Sequence, residues 1–140
     1  MSARPVVKLL QTANLPILYM LRLEEALLRA TQDNWLFVND GTKDPAVVLG
    51  ISGKPHELVH IEEAHAARIP LIKRFSGGGT VVVDRNTVFA TLIFGTQSVP
   101  EVEPFPGTIM RYTSEVCITT AGRSHGSLLC SASQCIWRCW

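Results

Sequence analysis

The chain has 140 residues, enough for one domain with a buried core. With 46% hydrophobic and 18% charged residues it reads as globular rather than disordered, and a formal net charge of +1 without any long Lys/Arg block excludes a general nucleic-acid binder. No apolar run approaches the roughly 18 residues that would span a bilayer, so no membrane segment is expected.

Arg4, Lys8 and Arg22 precede the first acid, Glu24, a bias shared with mitochondrial presequences. Val6-Val7-Lys8-Leu9-Leu10 nevertheless reads better as a first strand feeding a helix. Asn14 is placed to cap a helix over about residues 15–31, with Pro16 in its first turn, where a missing N–H costs little. Arg22, Glu25 and Arg29 share one face of it and Ile17, Leu21 and Leu28 another. Trp35–Val38 reads as a strand closed by Asn39-Asp40-Gly41, and the apolar Pro45–Leu49 as a central strand. After a loop from Gly50 to Pro55, a second helix is expected from His56 to Arg68, ended by Pro70, with His56, His60 and His65 on its solvated face.

Leu71–Arg74 runs as a strand into three glycines, Thr80–Val83 leaves as a strand, Asp84-Arg85-Asn86 turns, and Val88–Phe94 is a further strand. A loop with Pro100, Pro104 and Pro106 follows, and Thr108 to about Val116 reads as the beginning of a helix. This order predicts an α+β domain with a largely antiparallel mixed sheet and helices packed on it.

All four cysteines, Cys117, Cys130, Cys135 and Cys139, lie in the last stretch, beyond both the last acid (Glu115) and the last lysine (Lys73). A cysteine-free body suits a reducing compartment, cytoplasmic or mitochondrial. His125, Cys130, Cys135 and Cys139 have loosely ligand-like spacing, yet the gaps match no zinc ribbon and no second pair supplies the other half; incidental thiols are the plainer reading, and no metal site is assigned.

The run Arg74-Phe75-Ser76-Gly77-Gly78-Gly79-Thr80 carries the chemistry. Glycines allow positive φ and close approach of a ligand to the backbone, and successive N–H groups form a concave site for an anion such as phosphate or carboxylate. Arg74 can offer a fork of donors to the same anion. The bland alternative is a flexible hairpin turn, which needs one or two glycines. It is not a Walker loop, because Gly-Lys-Ser/Thr and a following helix are missing.

Lys73-Arg74-Phe75-Ser76-Gly77-Gly78-Gly79-Thr80-Val81-Val82-Val83-Asp84 resembles the Arg-Arg-x-Ser-Gly-Gly-Gly-Ala/Thr-Val-x-His-Asp motif of lipoate–protein ligases, within the biotin/lipoate protein ligase superfamily. Leu23–Leu28 and Pro45–Gly50 are similar to the segments that precede that motif, so the likeness runs in order over about residues 5–116. It implies the biotin/lipoate ligase (class II synthetase-like) fold. The implied reaction uses ATP and Mg²⁺ to convert lipoate into lipoyl-adenylate and then acylates a lysine on a lipoyl carrier domain of a dehydrogenase complex or a glycine-cleavage carrier protein. By the same resemblance Arg74 contacts phosphate and acyl carboxylate. Ser76, Gly77, Gly78, Gly79, Thr80, Val81, Val82 and Asp84 complete the adenylate-binding segment, and the strands beneath form a tunnel for the acyl chain. The acyl substrate stands open among lipoate, octanoate and biotin.

The chain departs from the pattern at Lys73, at Val83 in place of the family's His, at Asn86-Thr87 in place of Gly-Asn, and at Ile51-Ser52-Gly53-Lys54-Pro55 in place of a polar loop. The family's second basic residue, a lysine beyond the third helix, has no counterpart after Lys73, and Arg123 and Arg138 do not match its segment. The expected division is therefore a partial catalytic domain over residues 1–116, incomplete at the C-terminus, and a Cys/Trp-rich tail over 117–140 outside the family fold. The tail reads as unrelated sequence or as the far side of an internal deletion, the latter on His125-Gly126-Ser127-Leu128-Leu129, similar to a His-Gly-Thr-Leu-Leu of the family. Three functions follow: an adenylating ligase, a transferase of octanoyl or lipoyl groups with Cys130 or Cys135 as nucleophile and His125 as the base nearby in sequence, and a non-catalytic fragment that binds ligand. Loss of the lysine favours an inactive form.

Overall fold

Alternation along Val88–Ile93 turns Phe89, Thr91 and Ile93 inward, which makes the strand that they begin the spine of a sheet. The computed structural model describes residues 6–95, 97–99, 102–103, 105–121 and 134–138. Its elements in chain order are β1 (Val7–Ala13), α1 (Ile17–Ala30), β2 (Asn34–Asp40), β3 (Ala46–Leu49), α2 (Pro55–Leu58), α3 (Ile61–Ala66), β4 (Leu71–Lys73), β5 (Val81–Val83), β6 (Val88–Gly95), α4 (Pro106–Ala121) and β7 (Gln134–Arg138).

The strands form two sheets, a four-stranded one in the order β1-β2-β6-β7 and a three-stranded one in the order β4-β3-β5. The α+β class with mixed sheets stands. The expected antiparallel dominance does not: among the described pairings β2–β6 and β3–β5 are antiparallel, whereas β1–β2, β3–β4 and β6–β7 are parallel. The reason is that α1 returns the chain beside β1 in the same direction, and α2–α3 do the same between β3 and β4, as helical crossovers require.

One core joins both sheets to α1. Ile17, Met20 and Leu21 of α1 pack with Phe37 of β2, Ala46 and Val48 of β3, Val83 of β5 and Phe89 of β6. Full burial of a side chain such as Phe37 or Met20 stabilises by roughly 1.5–3 kcal/mol. A second, smaller cluster holds Phe94, Val99, Val102 and Ile109.

Local expectations need four corrections. Asn14 does not cap α1: the N-cap is Pro16, without a side-chain bond, and Asn14 sits at φ +54°. Buried Asn39 instead ties down the loop before α1, accepting from the Leu15 N–H at 3.2 Å and the Thr12 hydroxyl at 2.8 Å while donating to the carbonyls of Leu15 and Gly41. The second helix is two, because β-branched Val59 adopts extended backbone (φ −138°, ψ 137°) between α2 and α3. Arg68 at φ +55°, not Pro70, ends it, with bonds from Ile69 N–H to the Ala64 carbonyl and from Arg68 N–H to the His65 carbonyl that form a Schellman motif. The last helix starts at Pro106, two residues before the expected Thr108, and continues to Ala121, so residue 116 lies within α4; residues 134–138 form β7 on the edge of β6.

Candidate functional site

The glycine run does not close a hairpin. β4 and β5 both pair with β3 and lie on opposite sides of it, so residues 74–80 must cross over the C-terminal end of β3. Two backbone bonds pin the crossing: the Arg74 N–H to the Leu49 carbonyl and the Ile51 N–H to the Ser76 carbonyl, each 2.9 Å.

The three glycines differ in what the fold asks of them. Gly78 sits at φ +110°, and a Cβ there would overlap a terminal nitrogen of the Arg74 guanidinium. Gly50 is equally constrained, since its Cβ would overlap the Gly78 carbonyl oxygen. Gly77 and Gly79 are exposed, take no positive φ, and have nothing within 4 Å of an added Cβ. A turn alone would need glycine at 78 and leave 77 and 79 to any residue. Their openness is what a ligand pressed against backbone requires.

Beneath the loop lies a pair of charges. Arg74 is 9% exposed, and its Nε is buried without a hydrogen-bond partner. Glu24 of α1 is fully buried; its Oε2 accepts the Thr91 hydroxyl at 2.9 Å, and its Oε1 has no partner. Burial pushes the Glu24 carboxyl up to about 7, opposed by the Thr91 hydrogen bond and by the positive charge of Arg74. Burial likewise lowers the Arg74 pKa, opposed by the Glu24 charge. An anion placed on Gly77–Gly79 would meet exposed backbone backed by a poorly solvated cation, an arrangement that strengthens its attraction.

The other expected site residues divide. Ser76 and Thr80 are half-buried in the loop, and Val81 packs on the first core. Val82 is 70% exposed, turned away from the core that its neighbour Val83 enters. The Asp84 carboxylate is engaged in the β5–β6 turn, where Oδ1 accepts the Asn86 N–H at 2.9 Å and the Thr87 hydroxyl at 3.0 Å. β5 separates it from the glycines. Among the described residues no three His, Cys, Asp or Glu side chains gather to hold a metal ion. His56, His60 and His65 are exposed. Cys117 lies in α4 and Cys135 in β7; Arg123, His125, Cys130 and Cys139 lie outside the described residues.

Glu24 and Thr91 are the residues that sequence reading passed over, and a signal for both was available. Glu24 stands seven residues after Ile17 and three after Leu21, on the apolar stripe of α1; Thr91 stands between Phe89 and Ile93 in the inward register of β6. A polar residue in an apolar register is the informative exception.

Residues 16–128 match the family model described as the lipoyl protein ligase A/B catalytic domain. A curated relative, "Inactive lipoate--protein ligase 2" of Plasmodium falciparum, is 33% identical over 70 residues, covering 48% of this chain and 18% of its own length. Among solved structures, P. falciparum LipL1 in complex with lipoate superposes with a TM-score of 0.54 at 20% identity, over 59% of this chain and 29% of that one. A lipoate-protein ligase A bound with ATP superposes with a TM-score of 0.51 at 25% identity, over 61% of this chain and 35% of that one. The chain thus spans about a third or less of the length of each. No described helix is long and apolar enough to cross a membrane.

Proposed function

The chain belongs to the lipoyl protein ligase A/B catalytic-domain family, and on that premise we propose that its glycine loop binds lipoate and lipoyl-adenylate while these 140 residues do not complete the ligase reaction. One observation carries the binding half: the glycines at 77 and 79 are ones the backbone does not need, over a buried Arg74 whose Nε has no internal partner. In this reading the lipoate carboxylate and the α-phosphate share the charge of Arg74, and the exposed backbone of Gly77–Thr80 wraps them. The structures that superpose with TM-scores above 0.5 include one with lipoate and one with ATP, which supports these ligands.

The full reaction has two steps. A lipoate carboxylate oxygen attacks the α-phosphorus of ATP and pyrophosphate leaves; the amine of a carrier-domain lysine then attacks the acyl carbon and AMP leaves. Negative charge builds on phosphorus in the first step. Arg74 is one cation for it, and the lysine that the family pattern adds is missing after Lys73. Losing one preorganised donor of this kind costs about 10²–10³ in rate. The curated relative named inactive supports the same reading. Such a domain would belong in a reducing compartment, cytoplasmic or mitochondrial, with a lipoyl carrier domain as the partner it recognises.

Two measurements on the purified 140-residue chain test this. A non-hydrolysable lipoyl-adenylate analogue should raise its melting temperature, Arg74→Ala should abolish the rise, and Gly79→Leu should do so without unfolding the protein, because the added side chain meets open space. ATP–pyrophosphate exchange with lipoate, octanoate or biotin should be undetectable. Binding that survives both substitutions would reduce the loop to a crossover. Robust exchange would mean that another arginine stands in for the lysine, and acyl transfer that dies with Cys130→Ser would transfer the activity to the cysteine.

A further inference from the structure

Glu24 is the most deeply placed ionisable side chain near the loop, and its surroundings are unusual for a structural carboxylate. It is fully buried, yet it accepts one hydrogen bond, from Thr91, and leaves Oε1 without a partner. Buried carboxylates kept for stability are normally saturated by donors or locked to a cation. Here the cation is present but not locked: Arg74 acts on Glu24 through its charge, while its own Nε stays without a partner.

We propose that Glu24 is a positioning residue for Arg74, a buried counter-charge that holds the guanidinium under the glycine loop and takes up a proton when an anion occupies the loop. The inference rests on the loop being an anion site. A guanidinium clamped by two bonds to an internal carboxylate would have its orientation fixed and fewer donors left for a ligand, whereas one held by charge alone can turn all of them to an incoming phosphate or carboxylate. When an anion draws on the Arg74 charge, the carboxylate of Glu24 loses part of the interaction that favours its ionised form. Its pKa, about 7 in the protein without ligand, moves further up, and a proton from the buffer binds.

The groups around Glu24 leave few competitors for this role. On α1 itself, Arg22 is exposed and Glu25 bonds Arg29. β6 contributes Thr91, β3 and β5 carry no ionisable side chain, Lys73 of β4 is exposed, Asp40 ends β2 exposed, and Lys8 of β1 pairs with Asp33. Arg74 is the charge that remains.

Calorimetric titration with the lipoyl-adenylate analogue in buffers of differing ionisation enthalpy reads the proton directly. Between pH 7 and 8 the wild-type chain should take up a fraction of a proton, up to about one, per analogue bound, with affinity falling as pH rises. Glu24→Gln should still bind, without proton uptake and with a flat pH profile. Unchanged uptake in Glu24→Gln, or binding without uptake in the wild type, would overturn the proposal. A second measurement needs no ligand. In a double-mutant cycle of Glu24→Gln and Arg74→Met by urea unfolding, the coupling at pH 8.5 should change the unfolding constant by about threefold or more and should vanish at pH 5.5. Absence of coupling overturns the counter-charge whatever the ligand does. Coupling without any analogue binding in the wild type overturns instead the anion-site reading of the loop, and with it the ligand-driven proton.

Discussion

The two hydrophobic clusters of this chain are built in opposite ways. The first collects Ile17, Met20, Leu21, Phe37, Ala46, Val48, Val83 and Phe89 from one helix and four strands spread over more than half the chain. The second draws Phe94, Val99, Val102 and Ile109 from one short span of sequence. The charged pair and the glycine crossing stand on the first. Long-range packing there over-determines the positions of α1, β3, β4 and β6, and that redundancy is what allows a buried Glu24 and a buried Arg74, neither fully bonded, to be carried at all. The second cluster includes no residue of the loop. The lesson is that the site and the most redundantly specified part of the fold coincide.

The sharpest way to break that contrast is to excise one side chain from each cluster. Phe37 is fully buried in β2, paired on both sides by β1 and β6. Phe37→Ala should cost about 3–5 kcal/mol in urea unfolding and remove analogue binding with the fold. Val102→Ala should cost about 1–2 kcal/mol and leave the affinity within twofold. Equal losses of affinity would show that the second cluster also supports the loop.

Less of this was hidden in the sequence than the corrections suggest. Period-2 and helical patterns located β1 to β6, α1 and the start of α4 to within a few residues, and the glycine run with Arg74 marked the loop. Pairing was not legible: nothing local says that β4 and β5 flank β3 rather than each other, because short valine-rich strands have no register signal. Asn39 looked like a turn residue because its four hydrogen bonds go to partners about two dozen residues upstream as well as to Gly41. Glu24 enters the sequence pattern as the first acid and as part of a family-like segment, although its place on the apolar stripe of α1 is countable. Residues 117–140 differ in composition, and the expectation that they stand apart from the family fold rests on that difference.

A smaller effect tests the electrostatics of the first cluster. The folded-state pKa of Glu24 lies above its ordinary value of 4.5, at about 7. Its contribution to stability is therefore complete below pH 4.5, declines as the unfolded chain ionises first, and is lost once pH passes 7. The decline amounts to roughly 3 kcal/mol. Wild-type unfolding free energy should fall across this window, and Glu24→Gln should be nearly flat there in excess of the other titrations. A wild type as flat as the variant would mean that Glu24 reaches water or a donor in solution.

The smallest effect is expected at β7, which pairs residues 134–138 with the body. It lies on the sheet edge, parallel to β6, with Cys135 opposite Leu92 and Ile136 opposite Ile93. Parallel edge pairing stabilises little per residue, and an edge strand has one neighbour to lose. Successive N–H groups along a strand point to opposite sides. One of the two substitutions Cys135→Pro and Ile136→Pro must therefore delete a donor directed at β6, whichever the register favours. If residues 117–140 stand apart from the family fold, neither variant should cost more than about 1 kcal/mol, and both should bind the adenylate analogue as the parent does. Limited proteolysis should cut parent and variants first between residues 100 and 140, leaving a fragment that retains α1 and the glycine loop. If either proline instead costs as much as Phe37→Ala, β6 depends on β7 for its place. Since β6 carries Thr91 against Glu24, the tail would then belong to the site's own support and the division at residue 116 would fail.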